Sequence, residues 1–220
     1  MKIKIVKDGP YIVSGGVPLR ESVITPNGNG YVYKPGRPLP QAETYVLCRC
    51  GKTSTPPFCD GSHRSADFDG TETASREGYH KRASRLAGEG LDMLDDGRCA
   101  FARFCHREDG DAWELTEDSA TPHHRAEAVQ AANDCPAGRL TAVEKDGAEH
   151  EPDYAPGIEI LQDPEEEVSA GIFVKGGIPI ESADGTTYEV RNRVVLCRCG
   201  KSENKPFCDA QHVVEVYRDR

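Results

Sequence analysis

Leu47-Cys-Arg-Cys-Gly-Lys-Thr-Ser-Thr-Pro-Pro-Phe-Cys-Asp-Gly-Ser-His63 returns 149 positions later as Leu196-Cys-Arg-Cys-Gly-Lys-Ser-Glu-Asn-Lys-Pro-Phe-Cys-Asp-Ala-Gln-His212. Eleven of the 17 aligned positions are identical, among them Cys48/Cys197, Cys50/Cys199, Cys59/Cys208 and His63/His212. Each copy gathers three thiols and one imidazole into 16 residues. Soft sulfur donors favour iron–sulfur clusters, Cu(I) or zinc, and imidazole suits iron and zinc alike. Two cysteines one residue apart can both reach one metal. A third cysteine, with a histidine four positions on at the start of a helical turn, can close on a second. By donor type alone, a zinc site and an iron–sulfur site stand level.

Working outward, a second echo links Val13-Ser14-Gly15-Gly16-Val17-Pro18-Leu19 to Val174-Lys175-Gly176-Gly177-Ile178-Pro179-Ile180 at an offset of 161. The first repeat therefore holds 161 − 149 = 12 extra residues before its cysteines. The turn-rich Thr25–Pro40 is the natural place for them. Tyr11–Val13, Tyr31–Tyr33 and Tyr45–Leu47 read as short strands, matched by Ile172–Val174, Tyr188–Val190 and Val194–Leu196. A strand end thus delivers each cysteine loop, and the two modules are expected to pair about a pseudo-twofold axis within one chain.

Between the repeats, Thr71–Leu94 reads as a polar connector with some helix over Lys81–Ala87. Cys99–Val143 reads as a module with one helix, capped by Thr121 with Pro122 at its first position and Ala126, Ala128, Val129 and Ala132 on its apolar side. Pro136 ends it near Cys135, and Leu140–Val143 is a short strand. Lys145–Glu167, rich in Pro, Asp and Glu, reads as a linker. The expected organisation is α+β, with modules at 1–68, 69–150 and 151–220.

The whole chain has 220 residues, of which 37% are hydrophobic, with 22 Gly and 15 Pro. Small loop-rich modules of this kind need staples such as metals. A formal net charge of -10 argues against a nucleic-acid partner. The cluster Arg76, His80, Lys81, Arg82 and Arg85 reads as a solvated face. No apolar run approaches the roughly 18–20 residues that span a bilayer, and Met1–Pro10 meets charge and Gly-Pro before any signal core. A soluble cytoplasmic protein is expected. Nine cysteines without an export signal point to metal rather than disulfides.

The stretch Cys48-x-Cys50-x2-Thr53-x3-Pro57-x-Cys59-Asp-Gly-Ser-His63 resembles the CDGSH (NEET-type) iron–sulfur domain family, and Ser202 and Pro206 keep the pattern in the copy. The resemblance implies a [2Fe–2S] cluster held by Cys48, Cys50, Cys59 and His63, and another held by Cys197, Cys199, Cys208 and His212. Ala210 and Gln211 depart from the family's Gly and Ser. Neither is a ligand, and the alanine matters only where positive φ is required. One histidine among thiolates raises the potential above roughly -400 mV and couples it to a proton. Asp60 and Asp209 suit helix caps or braces of the loop, and Lys52 and Lys201 suit either donation toward the cluster's negative charge or a place in solvent.

Cys99-Ala-Phe-Ala102-Arg-Phe-Cys105, with Cys135-Pro136 further on, would be a ferredoxin run if Ala102 were cysteine. The segment resembles divergent single-cluster ferredoxin domains, which implies a [3Fe–4S] or [4Fe–4S] cluster on Cys99, Cys105 and Cys135. Buried free thiols are the plain alternative, and His106 is awkwardly placed for a fourth ligand beside Cys105. His123 and His124 read as surface residues and Trp113 as packing. No Gly-x-Ser-x-Gly, P-loop or dinucleotide fingerprint is present. The expectation is an electron-transfer or cluster-storage protein, not itself an enzyme, that meets a redox partner or an apo-acceptor of clusters. A structural zinc module and an electron-transfer subunit of a redox enzyme are the alternatives.

Overall fold

The computed structural model describes residues 1–219. Runs of β-branched and aromatic residues between Gly and Pro turns form short strands. These are β1 (Lys2–Ile5), β2 (Tyr11–Ser14), β3 (Leu19–Asn27), β4 (Gly30–Pro35) and β5 (Thr44–Leu47), the last ending at Cys48. The middle holds α1 (Tyr79–Arg82), β6 (Ser84–Ala87), β7 (Leu91–Asp95), β8 (His106–Arg107), β9 (Gly110–Asp111), α2 (Ala112–Glu117), α3 (Pro122–Asp134) and β10 (Leu140–Glu144). The chain then runs through β11 (Gly157–Asp163), β12 (Val168–Lys175), β13 (Ile180–Glu181), β14 (Arg193–Leu196) and α4 (Gln211–Val214). The fold is α+β. Among the described residues no helix is long and apolar enough to cross a membrane.

The two repeats exchange strands. One sheet runs β13-β1-β2-β5 and the other β14-β12-β11-β3-β4. In the first, β1 pairs parallel to β13, with Ile3 opposite Ile180; in the second, β11 pairs parallel to β3, with Ile158 opposite Leu19. Leu19 and Ile180 are repeat mates at the offset of 161. Ile3 and Ile158 are mates too, since each faces its repeat's Val13 or Val174. Each repeat thus lends the strand after its Gly-Gly turn to the other's sheet. The twelve-residue excess lies in the β3–β4 hairpin, which extends the second sheet.

One apolar core, including Ile3, Ile5, Tyr11, Val13, Ile158, Ile160, Ile172, Val174 and Leu196, is shared by both sheets. The opposite face of the second sheet buries Leu161, Ala170, Phe173 and Val195 against Ala100, Ala102 and Phe104 of the middle module. Covered on both faces, β11 is buried along its whole length. Such a strand loses the exposed polar alternation that marks a one-sided sheet. That is why Lys145–Glu167 reads as a linker yet contains a central strand: Glu159, 2% exposed, is satisfied by Ser22, Arg20 and Lys175.

A three-stranded sheet, β10-β7-β6, packs with α2 and α3 in the middle module. The helix expected over Lys81–Ala87 stops at Arg82, because Ser84–Ala87 pairs antiparallel with β7 instead. Tyr188–Val190 is not a strand; side-chain bonds hold it, from Tyr188 Oη to Glu72 and from Tyr79 N to Glu189. The helix after Thr121 ends at Asp134 with Cys135 as its cap. It buries Ala128, Ala131 and Ala132, whereas Ala126 faces solvent. α2 carries a reciprocal Asp111/Glu114 capping box, a signal present in the sequence. Arg76, Arg82 and Arg85 pair with Glu72, Asp96 and Asp92, so no free basic patch forms there.

Candidate metal centres

β5 and β14 end at Cys48 and Cys197, and the same backbone bonds shape both loops. Cys48 N donates to Pro57 O at 2.8 Å and Cys59 N to Val46 O at 2.9 Å; Cys197 N donates to Pro206 O and Cys208 N to Val195 O, both at 2.8 Å. Thr53 Oγ1 donates to Phe58 O at 2.6 Å and Ser202 Oγ to Phe207 O at 2.7 Å. The Asp60 carboxylate accepts from Ser54 N at 2.8 Å and from Ser62 N at 2.9 Å. Asp209 accepts from Glu203 N at 2.7 Å and from Gln211 N at 3.3 Å. Each aspartate therefore spans its loop rather than only capping a helix, and these bonds hold the Asp60 carboxyl well below the usual range. Lys52 and Lys201 face solvent.

The donors come in pairs. Cys48 Sγ lies 3.6 Å from Cys50 Sγ, and Cys59 Sγ 3.4 Å from His63 Nδ1. In the copy, Cys197 and Cys199 are 3.6 Å apart, and Cys208 and His212 Nδ1 are 3.5 Å apart. Two ligands of one tetrahedral metal, at bonds of about 2.0–2.3 Å, stand about 3.3–3.8 Å apart. Each pair is thus spaced for one metal, and each loop for two. Among the described residues no group of three or more His, Cys, Asp or Glu side chains is arranged to hold a single ion.

At Cys48 and Cys197 the loop favours thiolate, whereas burial pushes Cys59 and Cys208 up. A bond from the Cys50 thiol and backbone N–H groups of Thr53 and Gly51 hold Cys48 down to about 6. Cys199, with backbone N–H groups of Ser202 and Gly200, holds Cys197 down to about 7. The partner thiols are pushed up, since each shares its proton with the first. Thiolate, not thiol, is the metal ligand, so this donor set fits an iron–sulfur cluster.

Sequence reasoning passed over the residues that join the two loops. Gly51 has φ 71° and Gly200 φ 80°. A Cβ on Gly51 would sit 2.4 Å from Cys199 O, and one on Gly200 would sit 2.6 Å from Cys50 O. The loops meet back to back, and only glycine permits it. Tyr11 Oη reaches across to Cys197 O at 2.7 Å. Arg49 and Arg198, each 2% exposed, stand between the paired cysteines of their loops. Identity in both copies marked the glycines and arginines; nothing marked the tyrosine.

The two sets differ in cover. Cys208 and His212 are 4% and 2% exposed, whereas Cys59 and His63 are only half-buried. Burial, with Arg198 nearby, lowers His212 to about 4. Gly61 has φ 92° and Ala210 φ 71°, so the departure from glycine falls where positive φ is required.

Cys99, Cys105 and Cys135 line one small pocket, together with Ala102, Trp113 and Arg139. Phe101 N donates to Cys99 Sγ at 3.3 Å. Phe101 and Arg103 have φ 54° and 63°, rare for such residues and characteristic of a functional loop. Burial and the charges of Cys135 and Cys99 push Cys105 up to about 12. Three cysteines around one pocket are a donor set that fits a multi-iron cluster. His106 is exposed on β8, His123 bonds Asp109 at the surface, and Trp113 donates to Asp95.

Residues 8–64 and 170–213 match the family described as iron-binding zinc finger, CDGSH type. Residues 87–145 match the family described as divergent 4Fe-4S mono-cluster. Comparison with curated proteins and with solved structures gave no match.

Proposed function

We propose that this chain, an iron–sulfur protein with two CDGSH-type iron-binding domains around a divergent 4Fe–4S domain, holds a [2Fe–2S] cluster in each repeated donor set and a [3Fe–4S] or [4Fe–4S] cluster between them. Its role on this reading is one-electron transfer. The observation that carries it is the pairing of donors at 3.4–3.6 Å in both loops, the spacing for two metals per loop. Cys48 and Cys50 would hold the inner metal and Cys59 and His63 the outer one; Cys197, Cys199, Cys208 and His212 repeat the arrangement. Cys99, Cys105 and Cys135 would hold the third cluster. Such a cluster supplies a one-electron couple.

The protein's own groups do the rest. Backbone N–H groups stabilise the inner thiolates, and Asp60 and Asp209 fix the loop. The partner would be a redox protein, and a single chain supplies both halves of the pseudo-twofold unit. Delivery of a cluster to an apo-acceptor is a second reading for the first set alone, where Cys59 and His63 reach the surface.

Iron, zinc and acid-labile sulfide per anaerobically purified chain test the proposal. About four iron and four sulfide for the repeated sets, plus about three or four iron for the middle, are expected. Stoichiometric zinc without sulfide would overturn it.

A further inference from the structure

The middle donor set packs against the second donor loop, and from the first repeat it meets the β3–β4 hairpin through Ile24, Tyr31 and Tyr33. Its loop buries Ala100, Ala102 and Phe104 in one apolar cluster with Cys208 and Val195. Arg103, in the same loop, makes a bidentate pair with Asp163 of β11 at 2.7 and 2.9 Å. From β14, Arg193 donates to Ala132 O, Asn133 O, Cys135 O and Leu140 O. Four residues further on, the same strand delivers Cys197. The counterpart of Arg193 in the first repeat, at the offset of 149, is Thr44, which cannot make these bonds.

The second set in turn abuts the first, through Gly51 against Cys199 O and Gly200 against Cys50 O. Cys48 and Cys50 are as buried as Cys197 and Cys199, but the exposure of the outer donors follows the same order. Cys99, Cys105 and Cys135 are partly exposed, as are Cys59 and His63. Cys197, Cys199, Cys208 and His212 are all buried, at 2–6%.

We propose that the three donor sets form a line: middle set, second repeated set, first repeated set. The second set is an interior station, and the two ends are separate docking faces for one-electron carrier proteins. This rests on the iron–sulfur reading above. A carrier at one end is oxidised by one electron and a carrier at the other is reduced by one. The group held at each donor set would supply a one-electron couple between them, and no bond is made or broken. The asymmetry comes from the chain itself. The two repeats supply like loops, but Arg193 and Asp163 of the second, with the β3–β4 hairpin of the first, seat the third centre over the second loop.

The test is electron paramagnetic resonance on the full-length, anaerobically reconstituted protein, partly reduced with dithionite, read as power saturation of each [2Fe–2S] signal. Cys208→Ser and Cys59→Ser assign the signals by the one that each removes. Cys135→Ser, and independently Cys99→Ser, remove the middle centre. Either should make the Cys208-dependent signal saturate at several-fold lower power and leave the Cys59-dependent signal unchanged. Cys208→Ser should isolate the first signal from any influence of the middle centre. An equal change in both signals, a change only in the Cys59-dependent one, or none would overturn the line. So would wild-type protein that loads only about four iron and four sulfide, since the middle station would then be missing. Zinc without sulfide would instead overturn the iron–sulfur reading itself, and the line with it.

Discussion

Ala210 holds φ 71° where the first loop has Gly61 at φ 92°. A left-handed backbone costs an L-residue about 1–2 kcal/mol, and glycine gives back about 0.5–1 kcal/mol of that in unfolded-chain entropy. Ala210→Gly should therefore stabilise the protein by about 0.5–1 kcal/mol, a rise in Tm of about 1–4 °C, read by thermal denaturation of the loaded protein. A fall in Tm would mean that the methyl group packs usefully. The motif located this position, but only the backbone angle shows that the substitution is strained.

Among the elements, β14 ties two modules together. Arg193 is 1% exposed and binds the C-terminal carbonyls of α3 and the Glu151 carboxylate, whose titration it depresses. Removing a hydrogen-bonded guanidinium strands those carbonyls at a cost of about 3 kcal/mol, moderated because Glu151 keeps some solvent. Arg193→Ala should lower thermal stability by that order and lose iron from the middle centre while the first loop keeps its own. Retention of all the iron at wild-type stability would show that Arg193 is dispensable. Lysine should rescue poorly, since one ammonium cannot reproduce a planar fork. β11 teaches the same lesson. Its Glu159, Gln162 and Asp163 gave it the look of a linker, and only their buried partners make it a strand.

On the scale of the whole molecule, the parallel pairs β1–β13 and β11–β3 bind each repeat into the other. Residues 1–68 alone would lack the strand that pairs with β1, and would expose one edge of β3 as well. Residues 151–220 alone would suffer the mirror-image loss. Small domains with unpaired edges and half a core do not close their stability balance. Neither fragment should unfold cooperatively in circular dichroism, whereas the intact chain should. Cooperative melting of either fragment alone would show that the exchange is not needed for folding.

Read from the residues alone, the chain yields its candidate donors. Donors of one loop lie close along the chain, so the eight repeated Cys and His positions stood out as candidates, and the α+β class and the helix between Thr121 and Cys135 were legible too. So was the repeat, because two copies of a loop carry the same local constraints. Tertiary structure alone decided which strands pair with which, that the loops meet at Gly51 and Gly200, and that the middle module covers the second loop and leaves the first open. Those are contacts between residues far apart along the chain. They depend on what is buried against what, and no local pattern of residue types encodes that.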